Sequence, residues 1–400
     1  MPHPTLVIWD AALTRYDFGE GHPMNPLRLA LTARLAEGLG VLGHVDVEAP
    51  RLPDGSDEFL LSVHSRAYVD AVEAASANPA DADTSFGLGT EDDPAFVGMH
   101  DVSALIAAGT LRAVQAVHTG EYEHAVNFTG GLHHAMPDAA SGFCIYNDAA
   151  IGIQWLLDQG VERVAYVDID VHHGDGVEKT FWNDPRVLTI SIHESGTVLF
   201  PGTGFARDCG GPEAEGMAVN VSLPPGTGDA EWLRALHAVV HPVVTAFAPQ
   251  VLVTQHGCDS HYSDPLAHMV LTVDAQKMAH QSLHELAHDV CDGRWVALGG
   301  GGYELVDVVP RSWTHLTAIA ADHQCLTGKA FEAVEDRLDE VFRIVLLREN
   351  RHLLAKAGGS GLLILKRRGL DGLDRHSMAF RQKLGVKRGI QPCALFPGNI

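Results

Sequence analysis

Apolar and polar positions along the chain keep two rhythms. Short β-branched and apolar runs at residues 6–9, 124–128, 187–192, 219–223, 250–255 and 295–298 read as buried strands. Between them, stretches of helical period predict helices over 25–38, 54–75, 99–118, from Asp148 to about 159, and over 274–290, with more to about 357. Asn25-Pro26 is a helix-start signal. Asp229 is predicted to cap a helix that Pro242 kinks or splits. Strands alternating with helices mean βαβ units. The expected fold class is therefore α/β: a single domain with a mostly parallel central sheet and helices on both faces. No repeat and no linker interrupts it before 357, so the domain is placed at 1–357 and a tail at 358–400.

One strand breaks the pattern. In R-V-A-Y-V-D-I-D-V-H-H-G-D-G, residues 163–176, apolar positions alternate with Asp168, Asp170 and His172. Strand side chains alternate faces, so these three are expected on one side, one above the other. Carboxylates buried without partners are costly, and a cation relieves the cost. Asp and His two residues apart, with a Gly-rich exit, make half of a metal site.

The other polar clusters also fall just past strand ends. T-G-G-L-H-H carries His133 and His134, H-G-C-D-S-H carries Asp259, and G-G-G-G-Y carries Tyr303. Ligands of open α/β sheets bind at the carboxyl ends of the strands. Taken singly, each has an ordinary alternative: structural loop histidines, a helix-capping Asp259, a core Tyr303. Phe143 and Phe200 read most simply as core residues, and Arg28 as a solvated surface group. Taken together, the clusters compose a hydrolase. Asp170, His172 and Asp259 supply three ligands and leave a position for water. His133 and His134 flank that water, with Asp168 and Asp175 free to orient them. Tyr303 follows a turn without side chains and can meet a developing oxyanion. Glu91, Asp92 and Asp93 form an acidic rim on a long polar loop.

The net charge of -23 argues against a nucleic-acid coat, and fits a lysine-rich partner as well as plain solubility. The charge is uneven. Residues 351–400 hold ten Lys or Arg and two Asp or Glu, or +8; the other 350 hold 18 against 49, or -31. The basic, Gly-containing tail is expected to be loosely docked or disordered. Six scattered cysteines without C-x-x-C indicate neither a disulfide framework nor a zinc knuckle. With no signal segment and no long apolar run, the expectation is a cytoplasmic protein that does not enter membranes.

H-H-A-M-P-D-A-A-S-G-F-C-I-Y-N-D, D-I-D-V-H-H-G-D-G, F-P-G-T-G, Q-H-G-C-D and G-G-G-G-Y occur in that order. Together they resemble the zinc-dependent histone deacetylase superfamily over roughly residues 5 to 320. The resemblance implies the arginase/deacetylase-like fold and hydrolysis of N-acetyl-lysine to lysine and acetate. It implies Zn2+, with Fe2+ possible, at Asp170, His172 and Asp259. His133 and His134 match the tandem catalytic histidines, Asp168 and Asp175 their carboxylate partners, and Tyr303 the carbonyl-polarising tyrosine. Phe143 and Phe200 match the walls of an acyl-lysine tunnel, with Gly142 beside them. Asp92 resembles a rim aspartate that holds the substrate backbone, and Arg28 an arginine near an acetate exit. A structural K+ is implied near Asp168, Asp170, His172 and Ser191, and a second near Phe181 and Val187. The implied partner is an acetylated protein such as acetyl-CoA synthetase or another lysine-rich protein. Three alternatives remain at this point: an acetylpolyamine hydrolase, a ureohydrolase-like enzyme, and a binding module without turnover. The second needs further carboxylate ligands that His172-His173-Gly174 does not offer.

Overall fold

The computed structural model describes residues 5–53 and 56–322. Eight strands form one sheet: β1 (Thr5–Ile8), β2 (Asp46–Glu48), β3 (His124–Asn127), β4 (Val164–Asp168), β5 (Val187–Glu194), β6 (Ala218–Leu223), β7 (Val251–Gln255) and β8 (Trp295–Leu298). Their order is β2-β1-β3-β8-β7-β4-β5-β6, and every pairing is parallel. Eight α-helices are described: α1 (Leu27–Gly38), α2 (Arg66–Ala77), α3 (Met99–His118), α4 (Asp148–Asp158), α5 (Asp175–Thr180), α6 (Asp229–Phe247), α7 (Val273–Cys291) and α8 (Val309–Ala320).

Alternation along the strands sorts the core into two layers. Val7, Ala165 and Val167 point to the layer of α1, α6, α7 and α8, with Leu29, Trp232, Leu283 and Trp313. Leu6, Ile8, Val164 and Tyr166 point to the opposite layer, with Val114 of α3, Ile153 of α4 and Val177 of α5. Helices therefore cover both faces, which is why the strands read as near-continuous apolar runs.

Four readings change. β2 and α5 were not expected; three half-polar edge residues and a six-residue helix carry little periodic signal. Residues 58–62 form a short 3-10 turn, and α2 begins only at Arg66, after a Ser65 cap. The helix from Asp229 is one element through Pro242. Its buried stripe of Trp232, Leu236, Val240 and Val244 holds it to the sheet. Pro242 and Ala238, whose carbonyl it leaves without a helical donor, are on the exposed side where water can take that carbonyl. Asp229 is not the cap, which is Gly228; its carboxylate accepts from the Thr272 N–H and hydroxyl at the start of α7. The boundary at 357 and the basic tail lie outside the described residues.

Candidate active site

The chain reaches β3, then skips two places to β4 and later returns to fill the gap with β7 and β8. This crossover opens the sheet edge between strands that lead in different directions, where α/β folds bind ligands. His133 and His134 follow β3, Tyr303 follows β8, Asp259 follows β7, and Asp170, His172 and Asp175 follow β4. Those are four adjacent central strands.

β4 ends at Asp168, so Asp170 and His172 lie past the strand and not on one face of it. Each carboxylate there accepts from the backbone two residues on: Asp170 N to Asp168 Oδ1 at 3.1 Å, and His172 N to Asp170 Oδ1 at 3.0 Å. These turns separate the roles of the residues. Asp168 faces His133, whereas Asp170 and His172 face Asp259. His172 Nδ1 lies 3.1 Å from both Asp170 Oδ1 and Asp259 Oδ2. All three residues are buried, and their donor atoms lie within 4.8 Å of one another. Asp170 Oδ2 is further held by Gln255 Nε2 and Gly301 N, each at 2.8 Å, and Asp259 Oδ1 by Val171 N at 2.9 Å. A Cβ at Gly301 would collide with the Asp259 carboxylate, so the tetraglycine turn closes directly over the cage. Burial opposes ionisation of Asp170, but His133 and His172 hold it well below the usual range. Burial and the Asp170 charge push Asp259 up to about 6. Two facing buried carboxylates and one imidazole are the donor set of a catalytic zinc-type ion, and a divalent cation would remove their repulsion.

The tandem histidines each have a carboxylate behind them. His133 Nδ1–H donates to Asp168 Oδ2 at 2.7 Å, and His134 Nδ1–H to Asp175 Oδ1 at 2.7 Å. Both Nε2 atoms therefore turn to the cage side, 3.0 Å apart. Although burial works the other way, the Asp168 and Asp170 charges lift His133 to about 9. Burial and the charge on His133 lower His134 to about 4. The two adjacent imidazoles thus differ in basicity, with His133 the more basic and His134 the less.

Tyr303 has its N–H held by Asp264 Oδ2 at 2.8 Å. Burial, reinforced by Asp259 and Asp170, pushes its phenol well above the ordinary value, so it remains a donor. The Tyr303 ring meets Phe143 edge-on at 5.8 Å. Phe200 is 42% exposed and meets His134 at 5.0 Å and His172 at 6.3 Å, which makes it a wall at the mouth of the site and not a core residue. A Cβ at Gly142 would lie 2.6 Å from His134 Cδ2 and 2.8 Å from Phe200 Cε1, at φ 55°. Phe143 is also left-handed at φ 68°, which is costly for a bulky residue. Tyr16 pins it, donating from Oη to the Phe143 carbonyl at 2.7 Å while accepting from Ile145 N.

Arg28 is not a surface group. It is buried, donates from Nη1 to the Gly300 and Gly302 carbonyls at 2.8 and 3.2 Å, and lies 5.1 Å over Trp313. It braces the turn that carries Tyr303. The acidic rim also divides. Glu91 and Asp92 are exposed, and His22 links the Asp92 carbonyl to Phe143. Asp93 is buried. Burial, then the Asp92 charge, pushes its carboxyl up to about 8. An acid raised in the folded state contributes stability that is full below its unfolded pKa and is lost as pH rises through the folded one. Stability should therefore fall between about pH 4 and pH 8. Asp93→Asn should stabilise the protein, with a gain that grows over that window to a few kcal/mol. Melting temperatures of both proteins across the window check this; a gain independent of pH refutes it.

Ser191 is in register with Asp168 and its hydroxyl is 2.8 Å from His193 Nδ1. Phe181 caps α5, and its carbonyl accepts from Asp184 N near the start of β5 at Val187.

Sequence reasoning missed five supports. Asp148 accepts from Gly131 N, Leu132 N and Thr110 Oγ1 and so fixes the turn before His133. Tyr166 donates to the same Asp168 oxygen as His133. Gln255, Asp264 and Tyr16 hold Asp170, Tyr303 and Phe143. Asp148, Gln255 and Tyr166 had a signal, since all three sit within the motifs and Tyr166 is two residues from Asp168; Asp264 and Tyr16 are joined to their targets by long-range packing.

An α/β sheet with a buried Asp-His-Asp cage and two carboxylate-backed histidines beside it defines the class of metal-dependent hydrolases. Residues 22–320 match the histone deacetylase domain, and the chain belongs to that family and is a hydrolase of the deacetylase class. It is similar to the acetoin utilization protein AcuC of Bacillus subtilis (strain 168), at 42% identity over 78% of this chain and 81% of that protein. AcuC of Staphylococcus aureus (strain MSSA476) is 37% identical over 81% and 83%. AcuC of Staphylococcus xylosus is 36% identical over 82% and 85%. No helix among the described residues is long and apolar enough to cross a membrane.

Proposed function

We propose that this deacetylase hydrolyses N-acetyl-lysine side chains of proteins, with Zn2+ held by Asp170, His172 and Asp259. The observation that carries the reading is the convergence of His133 and His134 Nε2, 3.0 Å apart, beside the three-donor cage. A divalent ion held by Asp170, His172 and Asp259 would supply Lewis acidity there. His134 takes the proton of the attacking water at Nε2, and Asp175 steadies the imidazolium that results. His133, with Asp168 behind it and its Nε2 3.0 Å from that of His134, flanks the same water and stabilises the charge that develops as the proton leaves. Tyr303 donates its phenolic proton in a hydrogen bond to the acyl oxygen. His134 then returns the proton to the leaving lysine nitrogen, giving a free amine and acetate.

Phe143, Phe200 and the bare Gly142 form a passage suited to a four-carbon stem whose charge acetylation has removed. Asp92 stands on the rim, where it would hold a substrate backbone N–H. Arg28 acts through the glycine turn. K+ near Asp168 and Ser191 would screen the buried carboxylates. The relatives' names point to acetoin utilization, and the -31 charge of residues 1–350 favours a lysine-rich partner. An acetylated protein such as acetyl-CoA synthetase fits both.

The test is deacetylation of an acetyl-lysine peptide by purified protein, before chelation, after it, and after return of Zn2+ or Fe2+. Activity should be lost and then restored, and the metal that restores it at lower concentration is the one the cage prefers. Metal bound without turnover of the peptide would move the substrate to acetylpolyamines.

A further inference from the structure

A second group of metal-type donors lies at the other end of the sheet. His124 is the first residue of β3, nine residues before His133 and at the opposite strand end. His284 and His288 are one helical turn apart on α7 and face it. His124 Nε2 is 3.2 Å from His288 Nε2, which is 3.2 Å from His284 Nε2. The three donors lie within 4.8 Å of one another. The rings of His124 and His284 pack on Trp295, which is in register with His124.

The distances discriminate between two readings. A hydrogen bond between imidazoles pairs one N–H with one lone pair. Nε2 of His288 has one or the other, yet it faces two nitrogens. A tetrahedral ion at about 2.0–2.1 Å from each ligand sets its ligands about 3.3–3.4 Å apart. The observed spacing is close to that. Three nitrogens with no carboxylate suit a zinc-type transition ion and not Ca2+ or Mg2+. His124 and His284 are buried, and half-buried His288 leaves a way in for the ion and room for a water as fourth ligand.

We infer that His124, His284 and His288 form a second, structural site for a divalent transition-metal ion of the zinc type, which ties the start of β3 to α7. It shares no residue with the cage and stands independently of the proposed substrate.

The test uses the full, untagged chain, stripped with chelator, reloaded with Zn2+, and dialysed before elemental analysis. Wild type should hold one more equivalent than His284→Gln/His288→Gln, whose peptide deacetylation should persist. Asp170→Ala/His172→Ala should still hold one equivalent, and Zn2+ should raise its melting temperature by a few degrees. Co2+ in that variant should give visible absorption that His284→Gln/His288→Gln removes. Equal Zn2+ content in wild type and a folded His284→Gln/His288→Gln protein overturns the inference. If that double variant does not fold, His288→Gln alone should weaken Zn2+ binding by Asp170→Ala/His172→Ala at least tenfold; unchanged affinity overturns it equally.

Discussion

Replacing His134 with Ala should lower kcat on an acetyl-lysine peptide by about 10²–10⁴-fold, the range for loss of a positioned general base. The size follows from how the pair is wired. His133 has Asp168 behind it, and against burial the Asp168 and Asp170 charges make it the more basic of the two imidazoles. His134 is held neutral near pH 7 by burial and by that same neighbour. With Nδ1–H committed to Asp175, its lone pair is on Nε2. Metal content should not change, since His134 is not among the cage donors. Stopped or steady-state kinetics with parallel metal analysis checks this. A fall below fivefold, with metal retained, would remove His134 from the proton pathway. Asp175→Asn should reproduce part of the loss, because the amide leaves the wrong tautomer equally available.

Tyr303→Phe should lower kcat by about 10²-fold, within the range for removing one oxyanion donor, and leave KM close to wild type. The phenol stays protonated because burial and two carboxylates oppose its ionisation, so it is a donor at every working pH. Its position is set from two sides: Asp264 holds its N–H, and Arg28 holds the carbonyls of Gly300 and Gly302 in the preceding turn. Phe keeps the ring contact with Phe143 and deletes only the hydroxyl. Turnover equal to wild type would sink the oxyanion assignment. A loss confined to KM would recast Tyr303 as a wall of the passage.

What could be read from the residues, and what could not, divides along sequence separation. Strand runs and helical stretches were legible because burial on both sheet faces writes itself into consecutive positions. The strand-end clusters were legible because buried Asp and His interrupt those runs. Local periodicity misled where packing overruled it: α6 runs through Pro242 because its apolar stripe is anchored on the sheet. It was silent where the signal was too short, as at β2. Asp92 and Asp93 are neighbours with the same side chain, and only the tertiary environment sends one to solvent and the other inside.

The sequence by itself determined the parallel α/β class, the donor types and the strand ends at which they cluster. Those properties belong to short stretches, and local sterics and burial dictate them. The tertiary structure alone decided which carboxylate backs which histidine, Asp168 behind His133 and Asp175 behind His134. It alone placed Arg28 beneath the tetraglycine turn, 272 residues away. It also brought His124 against His284 and His288. Such pairings depend on strand order and helix packing, and no local pattern encodes contacts between residues 35 to 272 positions apart.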